Sequence, residues 1–314
     1  MTDATQPLVS VVIPAYVATP RQAELLAETL DTVAGQSCSD FETLVVDDGS
    51  PLGIERIVAG RPKTVMLRQP NGGSARARNT GIAASRGRYL IFLDADDHLL
   101  PPALEAGLAA LAEHAECGFV VGGREEMAYE GDPVPWSVPA MPRESSLYEI
   151  LLGFDWYIIP PSSAMFRREI VDQSGGFRDP WGADDLDFYL RVARRALGWC
   201  YERPAVTRYR RYSASSSRDG ERMLHSIRVV YDRQRDVVRG DPALEAAFER
   251  GLERLTAIFT ECLVENVEDR LRAHQWRRAA RAAALLGREN PQRLAGLAKR
   301  VLVRSRSSRR SPAQ

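Results

Sequence analysis

Residues 89–102 read YLIFLDADDHLLPP, an apolar run that delivers Asp94, Asp96 and Asp97 within four positions. Carboxylates crowded at the end of a buried segment repel one another and are costly to strip of water. A hard divalent cation resolves that cost. Mg²⁺ or Mn²⁺ takes oxygen from one or two carboxylates and completes its shell with substrate phosphates and water. A metal held so can neutralise charge on a departing diphosphate. The simpler reading is a solvated turn with an aspartate helix cap, and a DxD pattern alone does not separate the two.

Three other clusters carry comparable chemistry. In VVDDGS (45–50), Asp48 stands at a strand end ahead of Gly and Ser. It can accept hydrogen bonds from a base or ribose, or shape an Asx-turn. In NGGSARARNTG (71–81), glycines let the backbone approach a ligand, and Arg76 and Arg78 fall in the first turns of a helix. They can face phosphates or a nucleobase, or simply solvent. The GxxxxGK[ST] spacing of a P-loop is absent. In GGFRDPWGADDLDFYLR (175–191), Asp184 and Asp185 open a helix. They can cap it. A helix N-terminus also favours the carboxylate form, so such an aspartate would be ionised at neutral pH and able to act as a general base. Trp156 and Trp181 flank this region, with faces for a sugar or for the core.

These residues need elements that end together. LVSVVI (8–13), closed by Pro14, ETLVVDD (42–48), TVMLRQ (64–69), RYLIFLD (88–94) and CGFVVGG (117–123) read as strands. Helices are expected over 21–34, from Ser74 as cap to about Arg86, from Pro101–Pro102 to about His114, and over 184–198. SSAMFRR (162–168) and AVTRYRRY (205–212) read as further strands, residues 124–146 as a long loop, and the chain from about 219 as helical throughout. Strand–helix alternation argues for an α/β fold with a mostly parallel sheet and helices on both faces. Ligands in such sheets bind beyond the carboxyl ends of the strands. Asp47–Asp48 and Asp94–Asp97 could therefore share one crevice.

The order VSVVIPAY, VVDDGS, ARNTGIAASRGRYLIFLDADD, GGF…ADDLDFYLR, spread over residues 8–217, is similar to the family 2 glycosyltransferases. That resemblance implies a GT-A (Rossmann-like) fold. It also implies transfer of a sugar, with inversion, from a nucleotide-diphosphate sugar to an acceptor hydroxyl. Pro14, Ala15 and Tyr16 match the motif lining the nucleotide pocket. Asp48 matches the aspartate at the base, often uracil, and Arg78 the basic position near the nucleotide. Asp94, Ala95, Asp96 and Asp97 match the DxD region that holds Mn²⁺ or Mg²⁺ on the diphosphate, with Asp96 and Asp97 nearest the metal and Asp94 toward the ribose. Asp185 matches the catalytic base, and Asp184 stands where the family commonly has Glu, on the acceptor side with Trp156 and Trp181. Three departures stand out. Val17 replaces a frequent Asn, DGSPLG replaces DGSTD, and Tyr212 stands where a His is often found. Arg210, Arg211 and Ser215–Ser217 could substitute for that His.

The 314 residues suffice for one large domain with an appendage or for two domains. The expected division is a catalytic domain over 1–217, with a nucleotide-binding half to about 100 and an acceptor half after it, and a helical region with a basic tail over 218–314. Net charge is zero, but residues 1–218 hold 22 basic and 29 acidic side chains against 20 and 13 in the remainder. The four cysteines are far apart with no CxxC pair, so neither a zinc site nor a disulfide framework is suggested, and a reducing cytoplasm fits best. The N-terminus lacks the basic region of a signal peptide, and no apolar run approaches the ~20 residues of a membrane span. From Pro291 onward there are seven Lys or Arg and no acid, with Leu294, Leu297, Ala298 and Val301 forming a stripe. A basic amphipathic helix of this kind can lie on the inner face of an anionic membrane, which would suit a lipid-linked acceptor. No aromatic residues interleave with these arginines, so nucleic acid is not an expected partner. The alternatives are a sugar nucleotidyltransferase, which VIPAYVATP does not resemble, and a non-catalytic glycan- or nucleotide-sugar-binding module, against which the intact Asp96, Asp97 and Asp185 argue.

Overall fold

The computed structural model describes residues 6–128, 140–142, 146–178, 182–211 and 218–308. The chain forms two compact units, Met1–Asp179 with Asp184–Tyr212, and Pro180–Ala183 with Ser213–Gln314.

In the first unit, β1 (Val9–Ala15), α1 (Pro20–Ala34), β2 (Phe41–Asp47), α2 (Glu55–Val58), β3 (Thr64–Arg68), α3 (Ser74–Ala84) and β4 (Tyr89–Phe92) follow one another. Then come β5 (His98–Leu99), α4 (Ala103–Glu113), β6 (Cys117–Ala128), α5 (Tyr148–Leu152), β7 (Ala164–Arg167), α6 (Arg168–Ser174), α7 (Asp184–Ala193) and β8 (Leu197–Arg211). The strands form one sheet in the order β3-β2-β1-β4-β7-β6-β8-β5. The pairs β1–β2, β1–β4, β2–β3 and β6–β8 are parallel, while β7 runs against β4 and β6, and β5 against β8. The sheet is therefore mostly parallel, as the alternation of elements predicts.

Every residue of β2 and all of β1 except the half-buried Pro14 are buried. Strands covered on both faces must read as continuous apolar runs, which is why these were visible in the sequence. Leu26, Leu30 and Val33 of α1 and Leu104 and Leu111 of α4 close one face over Val9, Val11 and Ile13. Each such side chain contributes about 1.5–3 kcal/mol. On α3, a Cβ at Gly81 would lie 2.3 Å from Val12 Cγ1, and in the turn that follows, one at Gly87 would lie 2.5 Å from the Ser10 nitrogen. These glycines let α3 and that turn lie directly on β1. The register pairs Ala15 with Asp47 and Asp47 with Arg68, so the parallel strands end along one edge.

Several local expectations are corrected. Residues 124–128 belong to β6 and not to a loop. Their charges hid the strand, because they are used across it: Arg208 donates to Glu125 Oε2 at 2.9 and 2.7 Å, and Arg211 to Glu126 at 3.4 Å. The helix expected over 184–198 stops at Ala193, and Leu197 already belongs to β8. Ser74 is the first helical residue, and the cap position is Gly73. Pro102 caps α4, which starts one residue later.

The second unit holds α8 (Gly220–Val238), α9 (Pro242–Arg272), α10 (Trp276–Glu289) and α11 (Pro291–Ser308). Asp219 caps α8 through the Arg222 nitrogen (3.2 Å), and Asp241 caps α9 through the Ala243 and Leu244 nitrogens (3.0 and 3.2 Å). Tyr231 of α8 meets Phe248 of α9 edge-on at 5.2 Å. On α11, Leu297 is buried, and Arg293 and Arg300 pair with Glu261 (2.5 Å) and Glu268 (3.3 Å) of α9. Part of the apolar stripe and two of the basic side chains are thus spent inside this unit. Among the described residues no helix is long and apolar enough to cross a membrane.

Candidate functional site

Beyond the carboxyl end of β1, Tyr16 is about half exposed, next to the buried Ala15. The turn after β2 is tied to it, because Ser50 Oγ accepts from the Val17 nitrogen (2.9 Å). Asp47 accepts from the Ser50 nitrogen at 2.8 Å, an Asx-turn. Asp48 is buried, and its carboxylate accepts from Gln69 Nε2 (2.7 Å) and from the Gly72 and Gly73 nitrogens (both 2.8 Å). Both oxygens are therefore engaged in shaping the glycine loop that leads into α3.

Arg78 projects from α3 and is 5% exposed. Its Nη1 donates to Asp184 Oδ2 at 2.6 Å and its Nη2 to Asp94 Oδ1 at 2.7 Å. The guanidinium also lies 5.1 Å from the Phe177 ring. Burial opposes its charge, but Asp94 and Asp184 outweigh that, and the pKa is held above the ordinary arginine value. Asp184 receives a further contact from Ser74 Oγ at 3.3 Å. The acidic end of β4 and the head of α7 thus meet on one buried cation.

Asp185, next along α7, is half-buried and accepts from the Leu186 nitrogen at 2.7 Å. Burial, and then the neighbouring Asp184, push its carboxyl up to about 6 despite Arg78. This direction is opposite to the one expected from the helix terminus alone: desolvation and a like charge exceed the dipole. One turn on, the Tyr189 hydroxyl is buried without a partner, and burial followed by Asp185 raises its pKa well above the usual value.

The segment after β4 is fastened from two sides. Thr29 Oγ1 of α1 donates to the Asp97 carbonyl (2.9 Å). The Arg210 nitrogen of β8 donates to Asp97 Oδ1 (2.8 Å), and Arg210 Nε to the Asp96 carbonyl (2.8 Å). Arg210 is held in turn by Glu28 at 2.8 Å. Asp94 is one-third exposed, whereas Asp97 is 1% exposed. Asp97 Oδ2 has no partner, and burial, then Asp96 and Asp94, push this carboxyl well above its ordinary pKa.

Among the described residues no three His, Cys, Asp or Glu side chains form a metal cage. The donor set nevertheless fits a hard cation that takes one or two carboxylates and draws its other ligands from substrate and water. The buried Oδ2 of Asp97 has no hydrogen-bond partner, an open acceptor position beside Asp96 that suits such a cation.

Of the two tryptophans, Trp156 is 5% exposed, which leaves little of its ring for a sugar, and Trp181 lies outside the described residues. Tyr212 and Ser215–Ser217 also lie outside them. Arg210 does reach the acidic segment, whereas Arg211 turns to Glu126. Two residues escaped the sequence reading. Asn79 clamps the GGF segment, donating from Nδ2 to the Phe177 carbonyl and accepting at Oδ1 from the Phe177 nitrogen, both at 2.8 Å. Its adjacency to Arg78 was the available signal. Glu28, an ordinary surface residue by pattern, had none.

The family model for glycosyl transferase family 2 matches residues 10–175. An uncharacterized glycosyltransferase of Haemophilus influenzae is 31% identical over 191 residues, which cover 59% of this chain and 62% of that protein. The chain therefore spans about three fifths of that relative's length. Among solved structures, S. aureus TarS 1–349 in complex with UDP-GlcNAc superposes with a TM-score of 0.59 at 18% identity, covering 92% of this chain and 83% of that one. The mannosyltransferase PcManGT from Pyrobaculum calidifontis, in complex with GDP-Man and Mn²⁺, gives 0.59 at 19% identity, covering 96% and 81%. At those identities the two structures speak to the fold.

Proposed function

The chain belongs to glycosyltransferase family 2 and has the GT-A fold, and on that premise we propose that its first unit is an inverting glycosyltransferase. It moves a sugar from a nucleoside-diphosphate sugar, UDP favoured, to a hydroxyl of a glycan or lipid-linked acceptor. The observation that carries this reading is the Asp94–Arg78–Asp184 bridge, which joins the acidic end of β4 to the residue beside Asp185.

Asp185 is the general base. With its carboxyl near 6 it is mostly ionised at neutral pH and close enough to neutrality to accept and release a proton readily. It takes the acceptor hydroxyl's proton as that oxygen bonds to the anomeric carbon. The bond from carbon to the diphosphate oxygen breaks, and its electron pair leaves with the nucleoside diphosphate. Mn²⁺ or Mg²⁺, held by Asp96 with Asp97 behind it, would supply charge neutralisation on that leaving group. Tyr16, with Pro14 and Ala15 beneath it, borders the nucleotide. Asp48 acts on the same side through the Gly72–Gly73 loop, and Asp94 and Ala95 face the ribose. Asp184, occupied by Arg78, is a positioning residue. We assign the reaction to the cytoplasmic side, in surface polysaccharide or glycolipid synthesis, a family-level inference.

The test is thermal unfolding with nucleotides. UDP raises the Tm only when Mn²⁺ or Mg²⁺ is present, and Asp96→Ala removes the rise. The absence of a shift with every nucleoside diphosphate tried overturns the reading. So does release of pyrophosphate in place of a nucleoside diphosphate from a turning-over donor.

A further inference from the structure

The second unit contains a basic trough that the proposed transfer does not use. It lies between α8 and α10, with α9 packed against both, and has a volume of about 940 Å³. Five arginines and His225 line it against two carboxylates, Asp219 and Glu221. Asp219 is occupied in capping α8. Glu221 pairs across the trough with Arg281 at 2.6 Å, and Arg228 pairs with Glu289 at the end of α10. These two pairs staple the walls together.

What remains is cationic. Among the described residues the side chains of His225, Arg278 and Arg288 have neither a hydrogen bond nor an ion pair. Arg278, Arg281, Leu285 and Arg288 follow the i, i+3, i+7, i+10 spacing of one helix face. At 1.5 Å per residue the cationic row is roughly 15 Å long. Arg281 of this row is compensated by Glu221, whereas Arg278 and Arg288, ten residues apart at its two ends, have no charge partner, so the ends of the row suit an anion supplied from outside. The strong cations lining the trough are all arginine. Arginine's planar fork engages phosphoryl oxygens in bidentate fashion.

We propose that the α8–α10 trough binds a linear polyanion carrying repeated phosphoryl groups. The row is too long for a single phosphate. A concave trough receives a chain, whereas a flat bilayer surface meets protruding side chains. No Trp, Tyr or Phe lines it, so it lacks the stacking platforms by which single-stranded nucleic acid is held. The site stands independently of the proposed transfer reaction.

The full chain, titrated with a fluorescent inorganic polyphosphate, tests this. Arg278→Glu with Arg288→Glu weakens binding at least about tenfold and lowers the slope of log K against log salt by roughly 1.5. Arg278→Gln with Arg288→Gln does so to a lesser degree and guards against a folding defect in the reversed pair. Arg239→Glu with Arg277→Glu makes the same charge change outside the trough and leaves binding intact. Asp185→Asn also leaves it intact, which separates this site from the transfer reaction. Equal loss in the Arg239/Arg277 pair, or no loss in the Arg278/Arg288 pairs, overturns the proposal. Polyglutamate bound as tightly as polyphosphate overturns the phosphoryl assignment. Stronger binding of anionic vesicles or of an oligonucleotide, with the same arginine dependence, replaces it with a membrane or nucleic-acid site.

Discussion

Arg78 and Asp184 meet at 2.6 Å although 106 positions separate them in the chain. Through this contact and the one to Asp94, a nearly buried guanidinium holds the head of α7 against the acidic end of β4. A buried pair of this kind is costly to break from one side, because the remaining charges lose their compensation.

Arg78→Met is therefore expected to destabilise the protein by about 3–5 kcal/mol. Urea unfolding measures it, and a loss below about 1 kcal/mol would show that the triad is not buried as described. Asp94→Asn with Asp184→Asn in the Arg78→Met background recovers part of the loss, since no carboxylate is then left unpaired.

Asp185→Asn keeps nucleotide binding and loses transfer. In the unaltered protein, transfer rises with pH through about 6 and then levels. Stability moves the other way. The folded carboxyl titrates above the ordinary value near 4, so the folded state binds the proton more tightly. The stability contributed is full below about pH 4 and is lost as pH rises through about 6. Asp185→Asn flattens that slope. Denaturation midpoints between pH 4 and 7 check this, and an unchanged slope rejects the assignment.

Gly81→Ala adds a methyl group 2.3 Å from Val12 Cγ1, where α3 lies on β1. The expected cost is about 1–3 kcal/mol from overpacking, read as a lower denaturant midpoint at unchanged m-value. Because α3 carries Arg78, nucleotide affinity falls with it.

Arg210→Lys removes the fork that reaches both the Asp96 carbonyl and Glu28. Metal-dependent UDP binding is expected to weaken at least about tenfold, near 1.4 kcal/mol, with the fold retained. Titration of UDP at saturating Mn²⁺ decides it. Full affinity in the variant means that the acidic segment is held by Thr29 and the Arg210 backbone alone.

Much of the first unit was readable because its parallel strands are covered on both faces. That burial forces continuous apolar runs, and the polar residues that follow them mark where the strands stop. Strand β6 was partly lost from view because Arg208 and Arg211 compensate Glu125 and Glu126 from the neighbouring strand. A charged strand has no apolar period of its own. The basic C-terminal stripe was visible, but Leu297 is packed inward. Among the described residues, Arg278 and Arg288, which have no charge partner, lie on α10 and line the trough.

The sequence by itself determined the strand ends and the acidic residues on them, since local period and turn chemistry are properties of consecutive residues. Only the tertiary structure decided what each carboxylate does. Asp48 is spent on the glycine loop, Asp184 on Arg78, and Asp97 is closed behind the Arg210 backbone, while Asp185 has its carboxyl pushed toward neutrality. Those differences come from burial and from partners far away in the chain, and neither leaves a local signal.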